Sequence, residues 1–199
     1  MANHNIAIIV GSLRDGSINR KVARSMCALH DGLDCEIVEI GDLPLYNPDL
    51  DGKDPPASWS RFRDAVRGAE GVLFVTPEYN RSVPGALKNA IDVGSRPYGK
   101  SVFAKKPAAI VTVSPGAIGG FGANHALRQC AVFLDMPVMQ QPEAYLGQVA
   151  EDAFGDDGLL KDGPLKDLVA KLSAAFGDWV DLIKAGRAKL LGDSSGSEG

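Results

Sequence analysis

Ile6-Ala7-Ile8-Ile9-Val10-Gly11-Ser12-Leu13-Arg14-Asp15-Gly16-Ser17-Ile18-Asn19-Arg20 is the stretch that decides the fold. An apolar run stops at a glycine, small polar and basic residues follow, and a helical pattern then begins. A parallel strand that ends this way delivers the chain to a helix N-terminus, where free N–H groups and the helix dipole attract an anion. The turn's composition says which anion. Gly11 and Gly16 have P-loop spacing, but Ser17 stands where that motif needs Lys. No Gly-x-Gly-x-x-Gly follows the strand, so the pyrophosphate fingerprint of dinucleotide-binding folds is missing. A neutral, donor-rich turn with one guanidinium, Arg14, suits a single terminal phosphate better than a triphosphate with magnesium. The plainer reading is that Ser17 and Asn19 only cap the helix, but a cap does not need Gly11, Gly16, Ser12 and Arg14 together.

Outward from this turn, apolar runs alternate with helical patterns. Strands are expected at Ile6 to Val10, Cys35 to Ile40, Val72 to Val75, Ala108 to Val113 and, as a short fifth, Pro137 to Met139. The runs around Val72 and Ala108 are almost purely apolar, as in central parallel strands buried on both faces. Helices are expected from about Ser17 to His30, Ala57 to Arg67, Pro84 to Val93, Gly122 to Leu134 and Pro164 to Ile183, with apolar residues stepping by three or four. Trp59, Phe62 and Val66 face inward in the second. A loop from Gly41 to Pro56 carries the apolar tetrapeptide Leu43-Pro44-Leu45-Tyr46. This alternation predicts an α/β three-layer sandwich with a five-stranded parallel sheet, and right-handed crossovers at this size favour the flavodoxin-like order 2-1-3-4-5. Residues 1–191 are read as a single domain, and the Gly-, Ser- and acid-rich tail 192–199 as disordered.

The bulk numbers exclude several classes. The chain has 199 residues, 45% of them hydrophobic, and a net charge of −4 with both signs scattered. There is no basic stripe for nucleic acid, no membrane-spanning run and no cleavable leader pattern, so the expected address is the cytoplasm. Cys27, Cys35 and Cys130 have no paired metal spacing and are expected to be small buried hydrophobes with free thiols. His4, His30 and His125 lie far apart, which speaks against a metal site or a Cys–His catalytic pair.

In a 2-1-3-4-5 sheet, ligands sit beyond the C-terminal strand edge at the switch point between strands 1 and 3. Three loops should converge there. The first, Gly11 to Asn19, supplies Ser12, Arg14, Ser17, Ile18 and Asn19. The second, Thr76 to Val83, contains Pro77-Glu78-Tyr79-Asn80. Its backbone amides are stiffened by proline for a planar ligand, and Glu78 either meets that ligand or braces the loop. The third, Ser114 to Gly122, starts Ser114-Pro115-Gly116 and holds four glycines, which let backbone approach a flat ring.

These residues carry a resemblance. Gly11-Ser12-Leu13-Arg14-x-Gly16-Ser17-x-Asn19 and Pro77-Glu78-Tyr79-Asn80-x-Ser82-Val83-Pro84-Gly85-x-Leu87-Lys88-Asn89-Ala90-Ile91-Asp92 are similar to motifs of the NAD(P)H-dependent FMN reductase family, in its branch of flavodoxin-like quinone and chromate reductases. A weaker block runs from Ser114 through Gly119 to Leu127-Arg128-Gln129. The resemblance implies FMN held non-covalently, with its phosphate on Ser12, Arg14, Ser17 and Asn19 and its ring against Pro77 to Asn80 and Ser114 to Gly116. It implies NADH or NADPH as co-substrate and a quinone or similar small-molecule acceptor, with chromate, ferric complexes and azo compounds as further candidates. Homodimers, and in some cases tetramers, are implied too. Arg81 stands where many relatives carry a second aromatic residue, and His125 where some carry Tyr; both departures bear on acceptor preference and subunit contacts. Arg96 is a candidate catalytic residue that could reach the flavin or the acceptor. The alternative function is a flavodoxin-type electron carrier without a substrate of its own.

Overall fold

The computed structural model describes residues 3–194, with side chains to residue 189. The elements run β1 (His4–Val10), α1 (Ile18–Ala28), β2 (Leu33–Ile37), α2 (Ala57–Gly68), β3 (Gly71–Thr76), α3 (Gly85–Gly94), β4 (Ala108–Val113), α4 (Phe121–Phe133), β5 (Ala144–Leu146) and α5 (Pro164–Ser194). The strands form one parallel sheet in the expected order, β2-β1-β3-β4-β5.

Strand alternation sends side chains to two cores. Ala7, Ile9, Val72, Phe74 and Ile110 face α2, α3 and α4, where Trp59, Phe62 and Phe103 are fully buried. Phe103 meets Phe62 edge-on at 6.4 Å and Phe74 at 6.2 Å. Ile6, Ile8, Val10, Leu73 and Val111 face α1 and α5, where Met26, Leu172, Phe176 and Val180 close the layer. Each fully buried large side chain contributes about 1.5–3 kcal/mol relative to exposure. β3 and β4 are buried along their whole length, as their composition predicts.

The long loop after β2 is anchored. Asn89 in α3 accepts from the Tyr46 N–H at 2.8 Å and donates to the carbonyls of Leu43 and Pro44, each at 3.1 Å. The Trp59 indole N–H donates to Pro44 O at 3.0 Å. Asp51 and Arg63 form a buried bidentate pair at 2.7 and 2.8 Å.

Four expectations need correction. Cys27 and Cys35 are bonded to each other as a disulfide, and only Cys130 is free. The turn between α1 and β2 brings the end of the helix beside the middle of the strand, a proximity that spacing alone does not reveal. The fifth strand lies at Ala144–Leu146, downstream of Pro137 to Met139, where Val138 makes a single parallel bridge to Ala108. β2 sits two to three residues earlier than expected, at Leu33–Ile37. Finally, α5 runs on to Ser194, into the segment read as a disordered tail; the rest of that tail lies outside the described residues.

Candidate cofactor site

The C-terminal ends of β1, β3 and β4 feed three loops that meet around a cleft of about 300 Å³. The first loop continues the sheet by one rung, because the Gly11 N–H donates to Val75 O at 2.9 Å. A Cβ on Gly11 would lie 2.1 Å from Thr76 Oγ1, so only glycine lets the two strand ends close up. Ser17 then caps α1, its hydroxyl accepting from the Arg20 N–H at 3.2 Å.

Three polar side chains are buried in this turn: Ser12 at 4%, Ser17 at 3% and Asn19 at 6% exposure. Burying polar groups without partners is unfavourable. Nevertheless, among the described residues Asn19 Oδ1 is the only buried side-chain polar atom with no hydrogen-bond partner. Backbone N–H groups of residues 12–16 also meet no acceptor among those residues. The first turn of α1 contains no acidic residue, so the positive end of its dipole has no carboxylate on the helix to offset it. Arg20 is not available either. It makes a bidentate pair with Glu39 at 2.7 and 2.8 Å, and that hydrogen bond holds the Glu39 carboxyl below the usual carboxylate range. Arg14 is the guanidinium that lines the cleft.

The second loop is a tight hairpin. Tyr79 and Ser82 exchange backbone hydrogen bonds at 3.0 Å in both directions, and the two residues between them, Asn80 (φ 51°) and Arg81 (φ 65°), are both left-handed. Glu78 braces this hairpin against α4. Its Oε2 accepts from the Ala123 N–H at 3.1 Å, completing a helix start that Gly120 (φ 78°) cannot cap with a side chain. Its Oε1 lies 3.2 Å from Arg81.

In the third loop the Ser114 hydroxyl accepts from the Gly116 N–H at 3.0 Å, and the Ser114 N–H donates to Leu146 O at 2.9 Å. Two of its glycines serve protein packing and not ligand approach: a Cβ on Gly119 would meet the Tyr145 backbone at 2.6 Å, and one on Gly120 would meet Thr112 at 2.8 Å.

Of the residues singled out from sequence, Ser12, Arg14, Ser17, Ile18, Asn19, Pro77, Glu78, Tyr79, Ser114 and Pro115 line the cleft together. Asn80 and Gly116 shape its loops without lining it. Val113 lines it as well; its only signal in the sequence is its place as the last residue of a buried strand. Arg96 is elsewhere, in a groove between α3 and α4 beside Lys88, Cys130 and Phe133, with its guanidinium on Ser95. His125 stands outside the cleft, packed on Phe121 at 4.1 Å and 3.3 Å from the Tyr145 hydroxyl, which donates to Glu143 at 2.9 Å.

Against known proteins, residues 4–151 match the model of the NADPH-dependent FMN reductase family. The chain belongs to this family. Family members with curated names include a quinone reductase of Pseudomonas putida, 60% identical over 92% of this chain and 97% of the relative. A 2-hydroxy-1,4-benzoquinone reductase of a Burkholderia species is 46% identical over 71% of this chain and 77% of the relative. Among solved structures, the flavoenzyme NAD(P)H:acceptor oxidoreductase FerB of Paracoccus denitrificans superposes with a TM-score of 0.83, at 39% identity over 89% of this chain and 97% of FerB. The chemistry of the cleft fits the family's cofactor: its unpaired donors gather at one helix N-terminus, an arrangement suited to a monophosphate, and Asn19 Oδ1 lacks a donor of the kind that a polyol hydroxyl would supply.

Proposed function

We propose that this protein is an NAD(P)H-dependent, FMN-containing reductase whose acceptors are quinones or similar small molecules. One observation carries the assignment of the site: the buried Asn19 Oδ1, which has no partner among the described residues, and the free N–H groups of the turn before α1 stand at a slot whose walls are the β3 and β4 loops. Ser12, Arg14, Ser17 and Asn19 would hold the FMN phosphate and side chain. Pro77, Glu78 and Tyr79 on one wall, and Ser114 and Pro115 on the other, would hold the ring, with Asn80 and Gly116 shaping the loops behind them. When bound, FMN takes up hydride from the nicotinamide and passes two electrons to the acceptor. The protein's part is binding, orientation and fixed hydrogen-bond donors, and no side-chain nucleophile is needed.

The assembly we propose is a homodimer. Val132 (80% exposed) and Phe133 (73%) end α4 as bare apolar side chains, Phe133 in the α3–α4 groove and Val132 on the side toward α5, and burial against a second copy would remove them from water. Arg96 lies in that groove and can act on chemistry only across such a boundary. Slower turnover in Arg96→Met with full flavin content supports that role, and unchanged kinetics remove it. The expected compartment is the cytoplasm, where the nicotinamide reductant is found; no described helix is long and apolar enough to cross a membrane.

The test is spectroscopic. Purified protein, or protein reconstituted with FMN and gel-filtered, should show oxidised-flavin absorbance that bleaches anaerobically with NADH or NADPH and returns on adding a quinone. Protein that takes up no FMN overturns the reading. Flavin that ignores both dinucleotides favours an electron carrier.

A further inference from the structure

We infer that Arg81 is a specificity-determining residue, whose guanidinium at the rim of the cleft receives an oxyanion of the substrate that docks over the cofactor ring. The inference rests on the cleft being the flavin site.

The backbone raises the question. Asn80-Arg81 forms a two-residue hairpin turn with both residues left-handed, the geometry for which Asn-Gly is the favoured pair. Asn80 suits its position. Arg81 occupies the one where glycine is cheapest, so a side chain is kept there against a conformational penalty. Packing does not repay it. The Arg81 side chain is 74% exposed, and among the described residues its polar partner is Glu78 Oε1 at 3.2 Å, a contact that stabilises little.

Position supplies the reason. Glu78 and Tyr79 line the cleft. Glu78 is only 12% exposed and holds the Arg81 guanidinium at 3.2 Å, and its neighbour in sequence, Tyr79, is 49% exposed on the same wall. The hairpin tip cannot drift, because Arg81 O packs against Gly122 in α4, where a Cβ would lie 2.7 Å away. Electrostatics gives the group a task. The chain's net charge of −4 does not favour an anionic substrate, so a cation near the ring is what would draw one in. Arg20 is committed to Glu39, and Arg14 is assigned to the cofactor phosphate. Arg81 is the cation left at this wall. It offsets Glu78 and offers N–H donors in a planar fork suited to phosphate or to an ionised enol. The oxyanion has two possible sources, a phosphate of the reduced dinucleotide or an ionised acceptor.

Steady-state kinetics of Arg81→Ala, Arg81→Gly and Arg81→Lys tests this. The substrates are NADPH, NADH, 1,4-naphthoquinone and its 2-hydroxy derivative, a vinylogous acid that is ionised at neutral pH. For Ala and Gly the KM for the oxyanion-bearing substrate should rise about tenfold, with the loss in KM and not kcat, and should converge on wild type at high salt. Lys should restore most of the affinity. A rise for both dinucleotides identifies their shared phosphates, a rise for NADPH alone its extra phosphate, and a rise for the hydroxyquinone alone the acceptor. Arg81→Gly should also melt above wild type, because the penalty is relieved. Unchanged KM for every charged substrate, an equal rise for the neutral quinone, loss of flavin from Arg81→Ala, or an Arg81→Gly that melts no higher would each overturn the inference. Failure of wild-type protein to bind FMN or to be bleached by NADPH would instead strike the flavin reading itself.

Discussion

The two edges of the sheet treat polar groups in opposite ways. At the N-terminal edge the protein pairs them. His4, almost fully buried, has Nε2 at 3.0 Å from Asp181 and Nδ1 at 3.6 Å from Glu70. Glu70 also accepts from the Asn5 N–H at 3.0 Å and from Lys184. Lys106 reaches past the end of α2 to the carbonyls of Arg67 and Ala69. At the C-terminal edge, among the described residues, the buried Asn19 Oδ1 has no partner, and the backbone N–H groups of the exposed turn 13–16 have no protein acceptor. A buried group left unsatisfied costs about 1–3 kcal/mol. The contrast supports the proposed reading of the C-terminal edge as the face that a ligand completes, while the N-terminal edge closes on the protein's own groups.

That contrast can be broken by substitutions that separate stability from cofactor affinity. Gly11→Ala should have the largest effect. Its new Cβ cannot coexist with Thr76 at 2.1 Å, so about 3 kcal/mol of stability should go together with FMN binding, read by thermal melting and flavin absorbance. Gly16→Ala in the same turn meets nothing within 4 Å and should stay within about 0.5 kcal/mol of wild type. Next, at the other end of α1, Cys27→Ser or reduction of the disulfide should cost about 2.5 kcal/mol, the chain-entropy value for so short a loop, and leave the FMN dissociation constant unchanged.

Ser17→Asp should do the reverse. Asp caps a helix as well as Ser, so melting should hold. A carboxylate beside the phosphate should weaken FMN at least about tenfold in a fluorescence titration. The smallest effect belongs to Glu70→Gln, under about 1 kcal/mol. Its hydrogen bond from Lys184 holds the Glu70 carboxyl below the usual range. The stabilisation is therefore complete above that range and is lost as pH falls through the lowered value. Melting curves of wild type and variant should converge in acid, with FMN affinity equal throughout. An Asp or Gln variant that moved the other quantity would erase the distinction between the edges.

Much of the cleft was legible because its information is local. A strand that ends at Gly11 and a cap at Ser17 place Ser12, Arg14 and Asn19 without reference to the rest of the chain, and Pro77 to Tyr79 and Ser114 to Pro115 follow from the same strand-end logic. What failed depends on tertiary geometry. Cys27 and Cys35 meet only because β2 pairs with β1 in the register Ile6 to Cys35. Pro137 to Met139 does run beside β4, with the Met139 N–H on Ala108 O at 2.8 Å, but Pro142 has no N–H to continue the ladder and pairing resumes at Ala144. The apolar stripe of α5 ends near Ile183, while the helix itself continues through Lys184, Ala185, Arg187, Ala188 and Lys189, good helix formers among which Gly186 is the exception, with Arg187 on Lys105 O at 3.0 Å. Arg96 follows the last turn of α3 into the α3–α4 groove, a direction that the tripeptide Ser95-Arg96-Pro97 does not encode.

The chain's two tryptophans fall on opposite sides of the sheet. Trp59 donates its indole N–H to Pro44 O at 3.0 Å beneath the β2 loop, and Trp179 donates to Pro137 O at 2.9 Å under α5. Each layer thus owns one intrinsic fluorophore, and neither indole lines the cleft. Replacing one or the other with Phe would let emission ask whether the layers come apart in step, and a yellow ring seated between the loops would draw light from both by energy transfer.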